Sequence, residues 1–229
     1  MRPQSPVAAS LLLALILVAA VAAVTIGMMQ LSGGSQRIAT DAMIKLTVVV
    51  GMYIFVGNSG VLSFGHVSFL GLGAYAAAWL TIPASIKASL MPGLPVWLAA
   101  AQLHPAPAAL CGGLLAACVA FAFGLPLTRL AGIAASIGTF ALLVIFYATF
   151  SNWTPVTGGQ GSLYGLPPFT NLPIAAGLAS LAIVAAALYQ SSAPGFRLRG
   201  SREDPVAAKA AGIDIRRERL IALVVSAFF

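Results

Sequence analysis

Apolar runs separated by short polar or glycine- and proline-rich breaks recur along the whole chain. A membrane span needs about 20 predominantly apolar residues. The first run, Ala8–Met29, has 22. That exceeds the roughly 7–15 residues of a signal-peptide core, so it reads as a retained first helix with its N-terminus inside. A polar stretch from Ser32 to Asp41 is expected to form the following loop. The second span runs from Ala42 to about Val56, with Asp41 and Lys45 one turn apart at its start, where they can pair. Further spans are predicted over Val67–Ile82, Ala108–Leu127, Gly132–Phe150 and Pro173–Tyr189, and a seventh begins at Leu220. The pattern predicts an all-α integral membrane protein, a polytopic helical bundle of about seven spans forming one transmembrane domain over residues 1–229. The last span is incomplete: its ten residues to Phe229 would rise about 15 Å, half of a hydrocarbon core roughly 30 Å thick. The domain therefore reads as C-terminally truncated.

Residues 83–105 do not fit the span pattern. Pro83, Pro92, Pro95 and Pro105, with Pro107 beyond, surround a short apolar piece, Val96–Leu103. About eight residues cannot cross a bilayer. The stretch is expected to be an external loop carrying an interfacial or re-entrant segment anchored by Trp97.

Composition agrees with lipid as the solvent. Hydrophobic residues make up 60% of the chain and charged residues 7%, and mean hydropathy is +0.98. Soluble domains carry roughly 25% charged residues. The net charge of +7 raises the question of nucleic acid, but seven of the twelve basic residues lie between Arg197 and Arg219. A basic loop beside a span marks the cytoplasmic side. With the N-terminus inside, the inner segments hold nine basic residues (Arg2, Arg129 and those seven) and the outer ones two, Arg37 and Lys87. Cys111 and Cys118 stand two turns apart on one predicted helix, about 10.5 Å, too far for a disulfide. They have no neighbours that would complete a metal site.

Three segments are polar or glycine-rich where lipid disfavours both. Broken helices in membranes sit inside protein or line a cavity. The first break is Gly57-Asn58-Ser59-Gly60 followed by Ser63-Phe64-Gly65-His66, with Gly71, Gly73 and Ala77 beyond it. Its residues Asn58, Ser63, Gly65, His66, Gly71 and Gly73 are candidates for a translocation path or for close helix packing. A tight cytoplasmic turn with a packing face is the plainer reading, and a structural hydrogen bond is the plainer role for His66. The second, external segment runs from Asn152 to Gly161, with Trp153, Thr157, Gly158 and Gly159 as candidates to face a ligand or docking partner; a flexible loop is the plain alternative. The third, Arg202–Ile213 within the cytoplasmic loop 190–219, reads as a short helix. Pro205 suits its first turn, Glu203 and Asp204 its positive end, and Gly212 its stop.

In that order, these stretches resemble a known family. Gly60 to Tyr75 is similar to the early signature of bacterial branched-chain amino acid ABC transporter permeases. Trp153, Thr157-Gly158-Gly159 and Gly165-Leu166-Pro167 resemble their external loop. Arg202-Glu203-Asp204 through Ala207-Ala208 to Gly212-Ile213 resembles their cytoplasmic coupling loop, and the resemblance covers roughly residues 45–229. It implies an importer permease in the bacterial inner membrane. Its partners would be a second permease subunit (identical or different), two cytoplasmic ABC ATPases and an external solute-binding protein. It also implies that Glu203, Asp204, Ala207, Ala208 and Gly212 face the ATPase. The chain contains no Gly-x-x-x-x-Gly-Lys-Ser/Thr phosphate loop, so ATP hydrolysis falls to other chains. No enzyme active site and no cofactor is expected. The alternative is a secondary transporter or channel without an ATPase. Such carriers often hold acidic residues within their spans, and none of the predicted spans has one.

Overall fold

The computed structural model describes residues 6–130, 132–161 and 163–229; Arg2, counted above among the inner cations, lies outside them. The described residues form helices and no strand. In chain order these are α1 (Pro6–Met29), α2 (Gly33–Ser59), α3 (His66–Thr81), α4 (Ala84–Leu90), α5 (Val96–Ala100) and α6 (Pro105–Leu127). Then follow α7 (Ile133–Asn152), α8 (Thr154–Thr157), α9 (Leu172–Ser191), α10 (Ala193–Glu203), α11 (Pro205–Ala210) and α12 (Ile215–Phe228).

A helix stands at each of the seven predicted spans. Among the described residues, five are long and apolar enough to cross a membrane: α1, α2, α6, α7 and α9. With 16 and 14 residues, α3 and α12 are shorter. The stretch from Ser32 to Asp41 departs from expectation, because α2 already begins at Gly33. Hydropathy locates the lipid-crossing part of a helix and not its polar extension. Here the extension is held by its own contacts: Gln36 Nε2 donates to Met29 O and Leu31 O at 3.2 and 3.1 Å, and Lys45 meets Asp41 at 2.6 Å.

The chain divides into two compact units, one of residues up to 61 with 170–227 and 229, the other of residues 62–169 with 228. In the first, α9 packs against α1 and α2. Its inward stripe is Ala175, Ala179, Ala182 and Ala186, each at most 8% exposed. Small side chains let backbones approach closely, which is how helices associate when lipid removes the hydrophobic drive. Outward, Leu12, Leu13, Leu15 and Ile16 on α1 are each more than half exposed, a surface suited to lipid.

In the second unit α3 packs against α6 and α7. Ala108, Gly112, Ala116, Ala120 and Gly124 form a buried stripe along α6. Gly112 lets α3 approach closely, since a Cβ there would stand 2.7 Å from Gly73 O. Residues 83–105 fold as α4 and α5, and Ile82, Met91, Leu94 and Val156 form a small apolar core beside them. Trp97 is 72% exposed, as an interfacial anchor would be. Lys87, counted above among the outer cations, is fully buried. Its ammonium donates to Leu98 O and Ala101 O at the end of α5. A buried ammonium needs such acceptors.

Candidate functional site

The first break begins where α2 ends. Gly60 adopts φ +69° and its N–H bonds Val56 O at 3.0 Å, a left-handed stop that suits glycine. Buried Asn58 turns back on the helix, donating to Ile54 O at 2.9 Å. Beyond it, Phe64 N donates to Thr139 Oγ1 of α7 at 3.2 Å. Gly65 lies so near α7 that a Cβ would come within 3.1 Å of Thr139 O. Ser63 Oγ and His66 Nδ1 stand 2.8 Å apart, both residues buried, and the His66 ring meets Phe69 edge-on. The break is therefore a built structure rather than a loose turn. Thr139 is six residues beyond the start of α7, about 9 Å along its axis. The N-terminus of α3 thus opens partway along α7 rather than level with its end.

From this point α3 and α7 line an open cavity of about 490 Å³. Val67, Ser68, Gly71 and Tyr75 form one wall, Leu143, Phe146, Tyr147 and Phe150 another, and Ser151 with Gly159, Gln160 and Gly161 the rim. Tyr75 and Phe150 ring centroids lie 4.8 Å apart, and Phe146 meets Phe150 edge-on at 5.6 Å. Gly71, with nothing nearer to its Cβ position than Phe150 at 4.0 Å, keeps the cavity open. The structure thus brings Gly71 of the first segment and Gly159 of the second to one space. Gly73 instead sits at the α6 contact. The aromatic walls were not visible in the sequence, because they come from residues more than 70 positions apart.

The second segment is ordered around Thr157. Its buried hydroxyl lies 2.6 Å from Phe150 O and 2.9 Å from Trp153 O, and it accepts from Gly159 N at 3.2 Å. Gly158 and Gly159 take φ +75° and +65°. Trp153 is half exposed at the junction of α7 and α8. A Cβ on Gly159 would meet Thr154 Cγ2 at 2.7 Å. Gly159→Leu should therefore lose about 1–2 kcal/mol locally through left-handed strain and intrude on the cavity rim. Uptake should fall with the amount of membrane protein unchanged, which quantitative blotting beside a transport assay would check; unchanged uptake kinetics would make the rim an ordinary loop.

The third segment is more helical than expected, with α10 preceding the short helix. Glu203 closes α10, and Asp204 caps α11, its Oδ1 accepting from Val206 N and Ala207 N at 2.8 and 3.0 Å. At the other end Gly212 has φ +78°; Gly212 N bonds Lys209 O and Ile213 N bonds Ala208 O, both at 3.0 Å. That pair is the Schellman stop. Glu203, Asp204, Ala207 and Gly212 are exposed, whereas Ala208 is 6% exposed and turned inward. Two arginines of α10, absent from the candidate residues, tie the segment to spans. Arg199 Nη2 donates to Gln190 O near the end of α9 at 2.6 Å, and Arg202 Nη1 donates to Gly57 O at the end of α2 at 3.1 Å. Cations at helix C-termini also meet the negative end of the dipole. Arg197 pairs with buried Glu218 of α12 at 2.9 Å. No group of three metal-ligating side chains occurs among the described residues.

Comparison with known proteins follows the same line. A family described as "Branched-chain amino acid transport system / permease component" matches residues 34–229. The high-affinity branched-chain amino acid transport system permease proteins LivM of Escherichia coli (strain K12) and Salmonella typhimurium (strain LT2) are each 32% identical over 136 residues. The aligned stretch is 59% of this chain and 28% of each relative. No solved structure matches. The built break, the cavity and the apolar helices carrying them lie within the matched residues, and this all-helical, multi-pass membrane chain belongs to the family of branched-chain amino acid transport permease components.

Proposed function

We propose that the chain is a permease subunit of an ATP-driven importer that moves branched-chain amino acids or similar small amino-acid or amide solutes across the bacterial cytoplasmic membrane. The N-terminus and α10–α11 face the cytoplasm, where most basic residues lie. Its partners are a second permease subunit, two cytoplasmic ABC ATPases and an external solute-binding protein. ATP is hydrolysed on those partners and not on this chain.

The observation that carries this reading is the α10–α11 segment. A six-residue helix capped at both ends presents Val206, 78% exposed, beside Ala207 and Ala210. An exposed valine among alanines on a rigid cytoplasmic helix suits a close-fitting protein groove. Through Arg199 and Arg202 the segment is tied to the ends of α9 and α2, so a push on α11 reaches two spans. The helix is too short and too small in its side chains for a lipid-surface role. The contact side is Val206, Ala207 and Ala210, with Glu203, Asp204 and Gly212 around it, while Ala208 holds the helix to its own unit.

A secondary carrier would instead require ion-coupling groups. The one acidic residue that α2 takes in, Asp41, is exposed and paired with Lys45, as a surface ion pair is. Purification of the tagged protein from its native membranes tests the proposal. Two ATP-binding subunits recovered in stoichiometric amount support it, and a functional transporter that purifies without any ATPase contradicts it.

A further inference from the structure

Of the three arginines on α10, two meet acids. Arg197 stands 2.9 Å from Glu218 and Arg202 stands 3.7 Å from Glu203, whereas Arg199 forms no ion pair among the described residues. Arg199 Nη2 donates to Gln190 O, and the guanidinium lies over the Phe196 ring, 4.9 Å from its centroid. Its Nε is covered, which leaves Nη1 as the nitrogen open to a ligand. Where the span of α9 ends and that of α1 begins, Arg199 lines a cavity of about 260 Å³ with Gln190, Phe196, Ser10 and Leu13.

That cavity continues along the helices into an apolar one. α1 and α2 both pack along α9 but touch each other little, so a furrow floored by α9 runs between them. Leu13, Leu17, Val50 and Tyr53 line it, and Ser10, Leu13 and Gln190 belong to both cavities. Leu13, Leu17 and Tyr53 are exposed. No acidic residue lines either space. A cation at the end of two spans, opening into an apolar furrow along them, matches the two-part chemistry of an anionic phospholipid. Basic pockets between helices on the cytoplasmic side are where such headgroups are held.

We propose that this groove holds one anionic phospholipid, its phosphate on Arg199 Nη1 and an acyl chain in the furrow between α1 and α2. The guanidinium–phosphate contact is a charge-assisted hydrogen bond. A zwitterionic lipid is the poorer ligand, because its ammonium meets no carboxylate there. A free phosphate gains the arginine and nothing from the furrow. The bound lipid joins α1 to α10, which otherwise scarcely touch. The site goes beyond the transport reading and takes from it only the cytoplasmic side.

The test is native mass spectrometry of the complex purified from its native membranes in detergent. It is titrated with dioleoylphosphatidylglycerol, dioleoylphosphatidylcholine or glycerol 3-phosphate. The expected result is one phosphatidylglycerol retained per copy of this chain, with phosphatidylcholine about tenfold weaker. Loss of one hydrogen bond to a charged group is worth about tenfold. Arg199→Gln should lose that factor and Arg199→Lys should keep most of the affinity. Because Arg199 also holds Gln190 O, a second variant leaves that tie intact: Leu13→Trp fills the furrow from an exposed position and should also weaken binding about tenfold. Equal binding of the two lipids, or wild-type affinity in both Arg199→Gln and Leu13→Trp, overturns the site. Competition by glycerol 3-phosphate as strong as by phosphatidylglycerol makes it a site for free anions and overturns the lipid. Crosslinking of Leu17→Cys to another subunit, with no lipid retained, overturns it as well, since protein then covers the furrow. If lipid binding fails while ATPase subunits copurify, the transport reading stands. A complex that binds phosphatidylglycerol and contains no ATPase overturns that reading alone.

Discussion

Ala207→Arg should lower leucine uptake by ~30-fold or more while the variant reaches the membrane in wild-type amount. Asp204 and the Gly212 stop hold α11 through backbone groups, so the helix does not depend on the Ala207 side chain. That side chain is exposed, and an arginine there has room in the isolated chain. In a close-packed partner groove it does not. Loss of a central contact at an interface amounts to 2 kcal/mol or more, about 30-fold at 1.4 kcal/mol per decade. The variant should also lose its ATPase on affinity purification. Ala208→Arg is the poorer test, because Ala208 packs inward and its replacement disturbs the chain's own fold. Normal uptake together with wild-type recovery of ATPase in Ala207→Arg would remove α11 from the coupling role.

Gly71→Phe is the second large effect. Its Cβ position is open, with Phe150 Cε2 at 4.0 Å as the nearest atom, so the helix accepts a side chain without backbone strain. The new ring enters the cavity among Tyr75, Phe146 and Phe150, where the path is proposed to run. Uptake should fall to background while helix packing and ATPase recovery stay normal. Gly71→Ala should be neutral or raise stability by up to ~1 kcal/mol, since glycine within a helix is unfavourable by about that amount. Normal uptake by Gly71→Phe would mean that solute does not pass between α3 and α7.

Local signals in the sequence were readable because their partners lie nearby in the chain. The long apolar runs marked α1, α6, α7 and α9 to within a few residues. Asp204 could be placed at the positive end of its helix and Gly212 at the stop, since a helix end is decided within one turn; that Asp204 is the cap itself came from the structure. Lys45 could be paired with Asp41 for the same reason. What was not readable depends on distant pairing. Thr139 supports Phe64 across 75 residues, and Arg202 reaches Gly57 across 145. Lys87 was counted as an outer cation, yet its charge is satisfied by carbonyls that only the fold of α4 and α5 brings to it. Nothing in the sequence singled out Ser68. Its place in a cavity wall comes from α7, which completes that cavity. The polar start of α2 was missed because hydropathy measures affinity for lipid, and Gly33–Asp41 is helical without it.

The central claim is that transport by this chain is driven by ATP on partner subunits. The most direct test is radiolabelled leucine uptake in cells carrying the gene at its native locus, measured with a protonophore while glycolysis maintains ATP, and again after ATP depletion. The account predicts that uptake persists when the proton gradient is collapsed and stops when ATP is exhausted. Uptake that collapses with the gradient while ATP stays high would contradict it and make the protein an ion-coupled carrier.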